Sequence, residues 1–267
     1  MSSNLTPDAE KKDKMISFWS DRARQYETDP RANTNDVWLR EVEIDYVSRI
    51  IGAHSFRKVL DFGCANGYST ARIAKLHPAA AFLGIDINAD MIRIAETFPA
   101  SEGLSNLEFR VADVVAGDVQ EKFDFIFTIR VFQNIESAAM QKTVFDAVHE
   151  RLADGGMLLY VESYADGYER INADRAKMGL TPLPIHPHLT LMTQDFDDYV
   201  GQRMDFVSRE YLSSTYYLIT RLLYSYIAKT NGEAIDYNHP IHQVASMVPQ
   251  VGEYGVQKAL LFRKRNA

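Results

Sequence analysis

Val59-Leu60-Asp61-Phe62-Gly63-Cys64-Ala65-Asn66-Gly67 decides the fold of this chain. The run reads as a buried strand, an acidic residue, a loop punctuated by glycines, and a helix beginning near Tyr68. Without side chains at Gly63 and Gly67, a ligand can lie against bare backbone. The amides at the start of the following helix offer donors and partial positive charge. Asp61 supplies a point acceptor at the strand's end. Together these suit a small ligand carrying an ammonium, a carboxylate and a ribose.

The nearest rival is the G-x-G-x-x-G loop of dinucleotide-binding folds. Here the loop reads D-x-G-x-x-x-G, with Ala65 at the middle position. A carboxylate at Asp61 repels a pyrophosphate and favours a ligand ammonium. Working outward, residues 82–88 form a second apolar strand ending in Asp86, placed for ribose hydroxyls in a doubly wound sheet. That role serves S-adenosylmethionine (SAM) or NAD equally. A third strand at 107–111 runs into Asp113, which can accept from an adenine amino group while Val114 flanks the ring. A fourth strand is expected at 123–129. A fifth, at 157–162, follows a turn with two glycines, Gly155 and Gly156.

Five blocks, VLDFGCANG, FLGIDIN, VADV, FDFIFTIRVFQNI and LADGGMLLYVES, come in the order and spacing of class I SAM-dependent methyltransferases, which residues 57–163 resemble. The resemblance implies an α/β fold: a Rossmann-like seven-stranded sheet with helices on both faces and an antiparallel last strand. The run 258–263 suits that strand, and 206–213 alternates as its partner should. SAM is the implied cofactor. Asp61, Gly63, Ala65 and Gly67 are its expected loop, with Asp86 and Ile87 at ribose, Asp113 and Val114 at adenine, and Arg130 as a further ligand. The expected organisation is an N-terminal helical cap (1–56), the core (57–163), a lid inserted after strand five (164–204) and the rest of the core (205–267).

Composition agrees with an ordinary globular enzyme. The 267 residues can bury a sizeable core, and 46% are hydrophobic. The balance of 29 basic against 36 acidic residues disfavours nucleic acid as partner. There is no bilayer-spanning apolar run and no signal-peptide pattern, so a cytoplasmic location without membrane association is expected. Cys64 is the single cysteine, which excludes an intrachain disulfide. Its bland role is to fill a tight turn. Neither C-x-x-C pairs nor H-x-x-x-H spacing supports a metal.

The two additions to the core carry the remaining candidates. Residues 8–27 and 36–52 read as helices separated by a turn at 29–33. Trp19, Ala23 and Tyr26 form an i, i+4, i+7 stripe, which either packs on the core or caps the cofactor through Tyr26. Arg40 is placed either to pair with a methionine carboxylate or to be a solvated helix charge. After strand five, a helix at 167–178 stops at Gly179, and Pro182, Pro184 and Pro187 stiffen the segment that follows. That segment presents His186 and His188, expected to point opposite ways if it is extended.

Asn172, Arg175, Gly179, Leu180, Pro182 and Pro184, with Arg130, Val131 and Asn134, resemble a subgroup of bacterial class I methyltransferases with an R-V-x-x-N block and an N-x-x-R-x-x-x-G-L-x-P-x-P lid. Phe132 stands where leucine is usual there, and His186-Pro187 replaces a basic-aromatic pair.

The expected activity is methyl transfer to a small molecule at oxygen of a sugar, carboxylate or other anionic metabolite. An imidazole titrates near neutrality, so His188 is the expected base. Asn134, Glu162, Arg175, His186, Tyr217 and Arg221 are the expected substrate contacts. Arg175 and Arg221 would meet an anion, and Tyr217, Arg221 and Tyr224 would share one helix face. Packing or dimer contacts explain the same tyrosines equally well, and a homodimer is one expected assembly. The alternatives are N-methylation, SAM binding without methylation, and an NAD-linked oxidoreductase.

Overall fold

The computed structural model describes residues 7–266, so residues 1–6 of the expected cap and Ala267 lie outside the described residues. The chain opens with α1 (Pro7–Tyr26), a 3₁₀ turn at Pro30–Ala32 and α2 (Val37–Ala53). The alternating core follows: β1 (Lys58–Phe62), α3 (Tyr68–Leu76), β2 (Ala81–Asp86), α4 (Ala89–Ala95), α5 (Phe98–Glu102), β3 (Leu107–Val111) and β4 (Phe123–Ile129). It continues through α6 (Ala138–Arg151), β5 (Leu152–Ser163), α7 (Ala165–Lys177), α8 (Gln194–Gly201) and β6 (Met204–Glu210). Last come α9 (Ser214–Tyr217), a π-helical stretch (Leu218–Leu223), α10 (Tyr224–Asn231), α11 (Pro240–Met247) and β7 (Gln257–Lys264).

The strands form one sheet in the order β3-β2-β1-β4-β5-β7-β6, parallel except for β7, which runs antiparallel to both neighbours. Central strands covered on both faces must be apolar almost throughout. β5 illustrates this: Met157, Leu159 and Val161 pack into one core with Phe125 and Phe127. Leu158 and Tyr160 pack into the other with Phe132, Phe145 and Phe262. Short polar side chains start the helices. Asp36 accepts from Leu39 N at 3.3 Å, and Asn88 from Met91 N at 3.1 Å.

Strand order reverses between β1 and β4, so the crevice opens at the carboxyl ends of β1, β2 and β4. Two expected boundaries shift. The strand expected at 206–213 is Met204–Glu210, because a bulge between Phe206 and Ser208 breaks the alternation and leaves Phe206 and Val207 exposed. The segment over the crevice ends before α8, not at residue 204. Phe196 and Val200 of α8 are buried in the core with Tyr160 and Phe145, making α8 a layer helix of the sheet.

Candidate functional site

The loop after β1 is fixed by its neighbours. Gly63 N and Cys64 N donate to Ile85 O at 2.8 and 2.9 Å, and Ala65 N donates to Asp86 Oδ2 at 3.0 Å. Gly63 has φ +78°, and a Cβ there would lie 2.4 Å from a Val131 methyl. Gly67 has φ +76°, and its Cβ would lie 2.7 Å from both Ala95 and Phe109. These glycines are therefore required by backbone conformation and by close packing. Asn66, buried in the same loop, donates from Nδ2 to Glu27 O (2.8 Å) and Asp29 O (3.1 Å), tying the loop to the turn after α1.

A cavity of about 250 Å³ lies over this loop. Gly63, Ala65, Asp86 and Ile87 line it, as do Asp113, Val114 and Arg130. Asp86 also takes Asn88 N on Oδ1 at 2.8 Å, and burial raises its pKa. Asp113 holds its own turn by accepting from Val115 N at 2.8 Å and lies 3.8 Å from Lys12 Nζ. Ala112, Ile135, Met140 and Val144 add an apolar side beside Val114, a slot suited to a flat ring. Asp61 and Gly67 do not line the cavity; they lie behind the loop. Asp61 is buried and accepts from Thr70 Oγ1 at 2.6 Å, and burial pushes its carboxyl up to about 7. Cys64 is buried too, and burial holds its thiol protonated, as a filler of the turn.

Two arginines stand at the cavity's inner side. Arg130, at φ +61°, donates to Glu43 Oε2 at 2.5 Å. Arg40 is buried, so the solvated-charge reading of it is overturned. Its Nε has no hydrogen-bond partner, and burial together with the Arg130 charge lowers its pKa to about 10. The wall expected from Tyr26 is supplied by Trp19, two turns earlier on α1. Tyr26 packs with Ala23, Met91 and Ala65 instead, stacked against Arg22.

A second cavity, about 340 Å³, adjoins the first. Trp19, Asn33, Arg130 and Asn134 line both. His186, His188, Tyr217 and Arg221 line the second cavity, joined by Phe18, Gln133, Tyr168 and Tyr237 from four other segments. The two histidines do not point apart. A turn closed by Leu189 N to His186 O (3.0 Å) brings their rings into a stack with centroids 5.5 Å apart. His188 also meets the Phe18 ring at 4.9 Å, and α1 is strapped nearby by Lys11 Nζ to Thr190 Oγ1 at 2.7 Å. Burial, then the neighbouring His186 and Lys11, lower the His188 pKa, leaving a neutral imidazole at neutral pH.

Two expected substrate contacts, and Tyr224 of the expected helix face, are occupied elsewhere. Glu162 is fully buried and accepts backbone N–H groups from Val131, Phe132 and Gln133 at 2.9–3.1 Å. It shapes the loop after β4 and lines neither cavity, while burial lifts its pKa to about 7. Arg175 donates to Thr181 O at 2.7 Å and to Arg221 O, so it staples the lid to the π-helical stretch. Tyr224 leaves the shared face: the wide π turn rotates it away, and it stacks on His239 at 4.6 Å. Arg221, on the same stretch, turns inward. It is ion-paired to Asp36 and lies between the Tyr217 and Tyr237 rings at 5.0 and 4.9 Å. Burial pushes the Asp36 carboxyl up, but His242, Arg221 and Tyr216 hold it down at about 2.

Asn33, Gln133, Tyr168 and Tyr237 were not expected at the site. The single signal was the turn around Asn33, which marked a break between helices but no contact. Among the described residues no group of His, Cys, Asp and Glu fits a metal, and no helix is long and apolar enough to cross a membrane.

Comparison with known proteins agrees with this geometry. Residues 53–195 match a family model described as a methyltransferase domain. The chain belongs to that family. It is 31% identical over 110 residues to malonyl-[acyl-carrier protein] O-methyltransferase 2 of Ilyobacter polytropus, covering 41% of this chain and 40% of that protein. It is 33% identical over 102 residues to trans-aconitate 2-methyltransferase of Afipia carboxidovorans, covering 38% and 37%. The matches thus span about two fifths of these relatives' own length. In fold, it resembles magnesium protoporphyrin IX methyltransferase from Synechocystis with bound SAM, at a TM-score of 0.60 and 13% identity, covering 99% of this chain and 100% of that one.

Proposed function

We propose that the protein is a SAM-dependent methyltransferase acting on a small molecule, with oxygen as the acceptor atom. The observation that carries this reading is the pair of cavities sharing one wall, the first set over the glycine loop. SAM, seated in the first, supplies a methyl group already activated on a sulfonium. Asp86 would hold the ribose hydroxyls beside Ile87. Val114 and Asp113 would flank adenine. The methionine carboxylate meets Arg40, whose buried guanidinium feels Glu43 and Asp61 but forms no ion pair among the described residues, and the ammonium lies at the loop in front of Asp61.

Because the methyl is activated, the protein's part is alignment, exclusion of water and removal of a proton. Trp19, Asn33, Arg130 and Asn134 stand where the reacting atoms meet. The neutral imidazole of His188 receives the proton of a hydroxyl. α1 and the proline-stiffened lid, joined through Lys11, cover the crevice. The motif resemblance further favours the bacterial subgroup with the R-V-x-x-N block. The balance of 29 basic against 36 acidic residues favours a small-molecule partner over nucleic acid.

Calorimetric titration with SAM and S-adenosylhomocysteine, with NADH as control, tests the assignment. Micromolar binding of both SAM ligands without an NADH signal is the expected result. Absence of SAM and S-adenosylhomocysteine binding, or a preference for NADH, overturns it.

A further inference from the structure

The second cavity has two chemically different ends. At the far end Arg221 directs Nη2 to Asp36, while its Nη1 is buried without a hydrogen-bond partner. Asp36 is fully used: it caps α2 and also accepts from the Tyr216 hydroxyl. The far end therefore offers the unpartnered Nη1 of a guanidinium to an incoming anion, between two tyrosine rings. With Asp36 already offsetting the guanidinium, a singly charged group suits it better than a phosphate dianion.

The near end, the wall shared with the first cavity, differs: the Arg130 charge there is already matched by Glu43, with only its Nε left unpartnered, and two amides present acceptors. Asn33 donates from Nδ2 to Asn66 Oδ1 at 3.0 Å, and Asn134 donates from Nδ2 to Arg130 O at 2.7 Å. Both amides are thereby fixed in orientation, and both Oδ1 atoms are buried without a partner. Buried acceptors are rarely left unpaired, so an unmatched pair at a cavity wall asks for donors from a ligand. Two carbonyl oxygens attract an O–H or N–H group and repel a carboxylate.

Resting on the methyltransferase reading, we propose that the second cavity selects a bifunctional molecule. Its carboxylate docks on Arg221, and its hydroxyl or amine, held by Asn33 and Asn134, is the group methylated. The product is then an ether or an N-methyl compound and not a methyl ester. In the step, the lone pair of the oxygen or nitrogen forms the bond to the methyl carbon. The carbon–sulfur bond breaks with its electron pair going to sulfur, giving neutral S-adenosylhomocysteine, and the acceptor's proton passes to His188. The aromatic lining from Phe18, Trp19, Tyr168, Tyr217 and Tyr237 suits a ring as the connecting body.

The test uses the full chain saturated with S-adenosylhomocysteine, whose binding is measured first. If that ligand fails to bind, the methyltransferase reading itself falls. If it binds, phenylacetate, phenylacetamide, phenyl phosphate and 4-hydroxyphenylacetate are titrated at millimolar concentration by ligand-observed NMR. Phenylacetate is expected to bind about tenfold tighter than phenylacetamide, with the 4-hydroxyl adding affinity that Asn134→Leu removes. Arg221→Lys is expected to weaken the acids and leave the amide unchanged. The acid and amide comparison runs on the unaltered protein, so it decides even if a variant fails to fold. Equal binding of acid and amide, tighter binding of phenyl phosphate, no gain from the hydroxyl, or no probe binding at all overturns the proposal.

Discussion

The two cavities sit side by side and are built differently. The first is made largely of short runs at four strand ends, β1 to β4, with one side from α1, and is held by bonds such as Ala65 N to Asp86 and Asn88 N to Asp86. The second gathers single residues from α1, the turn after it, the loop after β4, the lid and the helices between β6 and β7. The first is a fixed feature of the sheet. The second depends on how five separate segments dock, and on the function proposed above it is where the acceptor is selected. A division of labour follows: changes in the first cavity should act on cofactor affinity, and changes in the second on turnover.

The sharpest way to break that division is His188→Ala. Methyl transfer to an accepted hydroxyl substrate should fall by about 10²- to 10⁴-fold. S-adenosylhomocysteine affinity should stay unchanged by calorimetry. Normal turnover, or lost cofactor binding, would dissolve the assignment of His188 to the second cavity's chemistry.

Next in size is Asp86→Ala. Losing charged hydrogen bonds to ribose, each of about 1.5–3 kcal/mol, should weaken SAM by about 100-fold or more. Unchanged SAM affinity would remove Asp86 from the ribose site. A smaller loss, about tenfold, is expected for Arg40→Met, since one charge-assisted contact to the methionine carboxylate goes while a buried unpaired charge is relieved. Titration of decarboxylated SAM analogues should show no difference between Arg40→Met and the parent. Any such difference would argue that Arg40 acts through the fold.

The smallest expected effect concerns pH. Burial raises the Asp61 carboxyl from 3.8 to about 7 in the free protein. Across that interval the folded chain holds a proton that the unfolded chain has released. This contribution to stability is present at low pH and is lost as pH rises through about 7. A ligand ammonium reverses the balance by favouring the carboxylate. SAM binding should therefore release a proton and tighten as pH rises toward neutrality. Calorimetry at pH 6 in buffers of differing ionisation enthalpy reads the release directly, and Asp61→Asn should abolish it. Equal heats in all buffers would separate Asp61 from the ammonium. Glu162 titrates in the same range but lines neither cavity, so Glu162→Gln should leave proton release intact.

How much was legible in the sequence follows the same line between cavities. Gly63, Asp86 and Asp113, which line the first cavity, stand in strand, acid and glycine-loop patterns that are local and whose spacing is set by strand length; Asp61 and Gly67 belong to the same patterns but lie behind the loop. The seven-stranded sheet with its antiparallel β7 is what the resemblance to class I methyltransferases implied. Tyr26 and Trp19 share one stripe of α1, and periodicity alone does not say which meets a ligand. The stacking of His186 on His188 was hidden because a turn at Pro187–His188 replaces the extended backbone that would separate them. The placement of Arg221 against the second cavity and of Tyr224 against His239 depends on one π-helical stretch, which shifts the face that ordinary helical spacing assigns.

By itself the sequence determined the sheet, the glycine loop and the acids at the strand ends, since those rest on hydrogen-bond geometry and hydrophobic burial within a few neighbouring residues. The tertiary structure alone decided which buried polar groups are spent and which are free. Glu162 and Arg175 have their bonds filled by backbone, whereas Arg40, Arg221, Asn33 and Asn134 each keep a buried atom without a partner. Side-chain type cannot distinguish these cases, because the cost of burying a polar atom depends on partners supplied by residues far away in the chain.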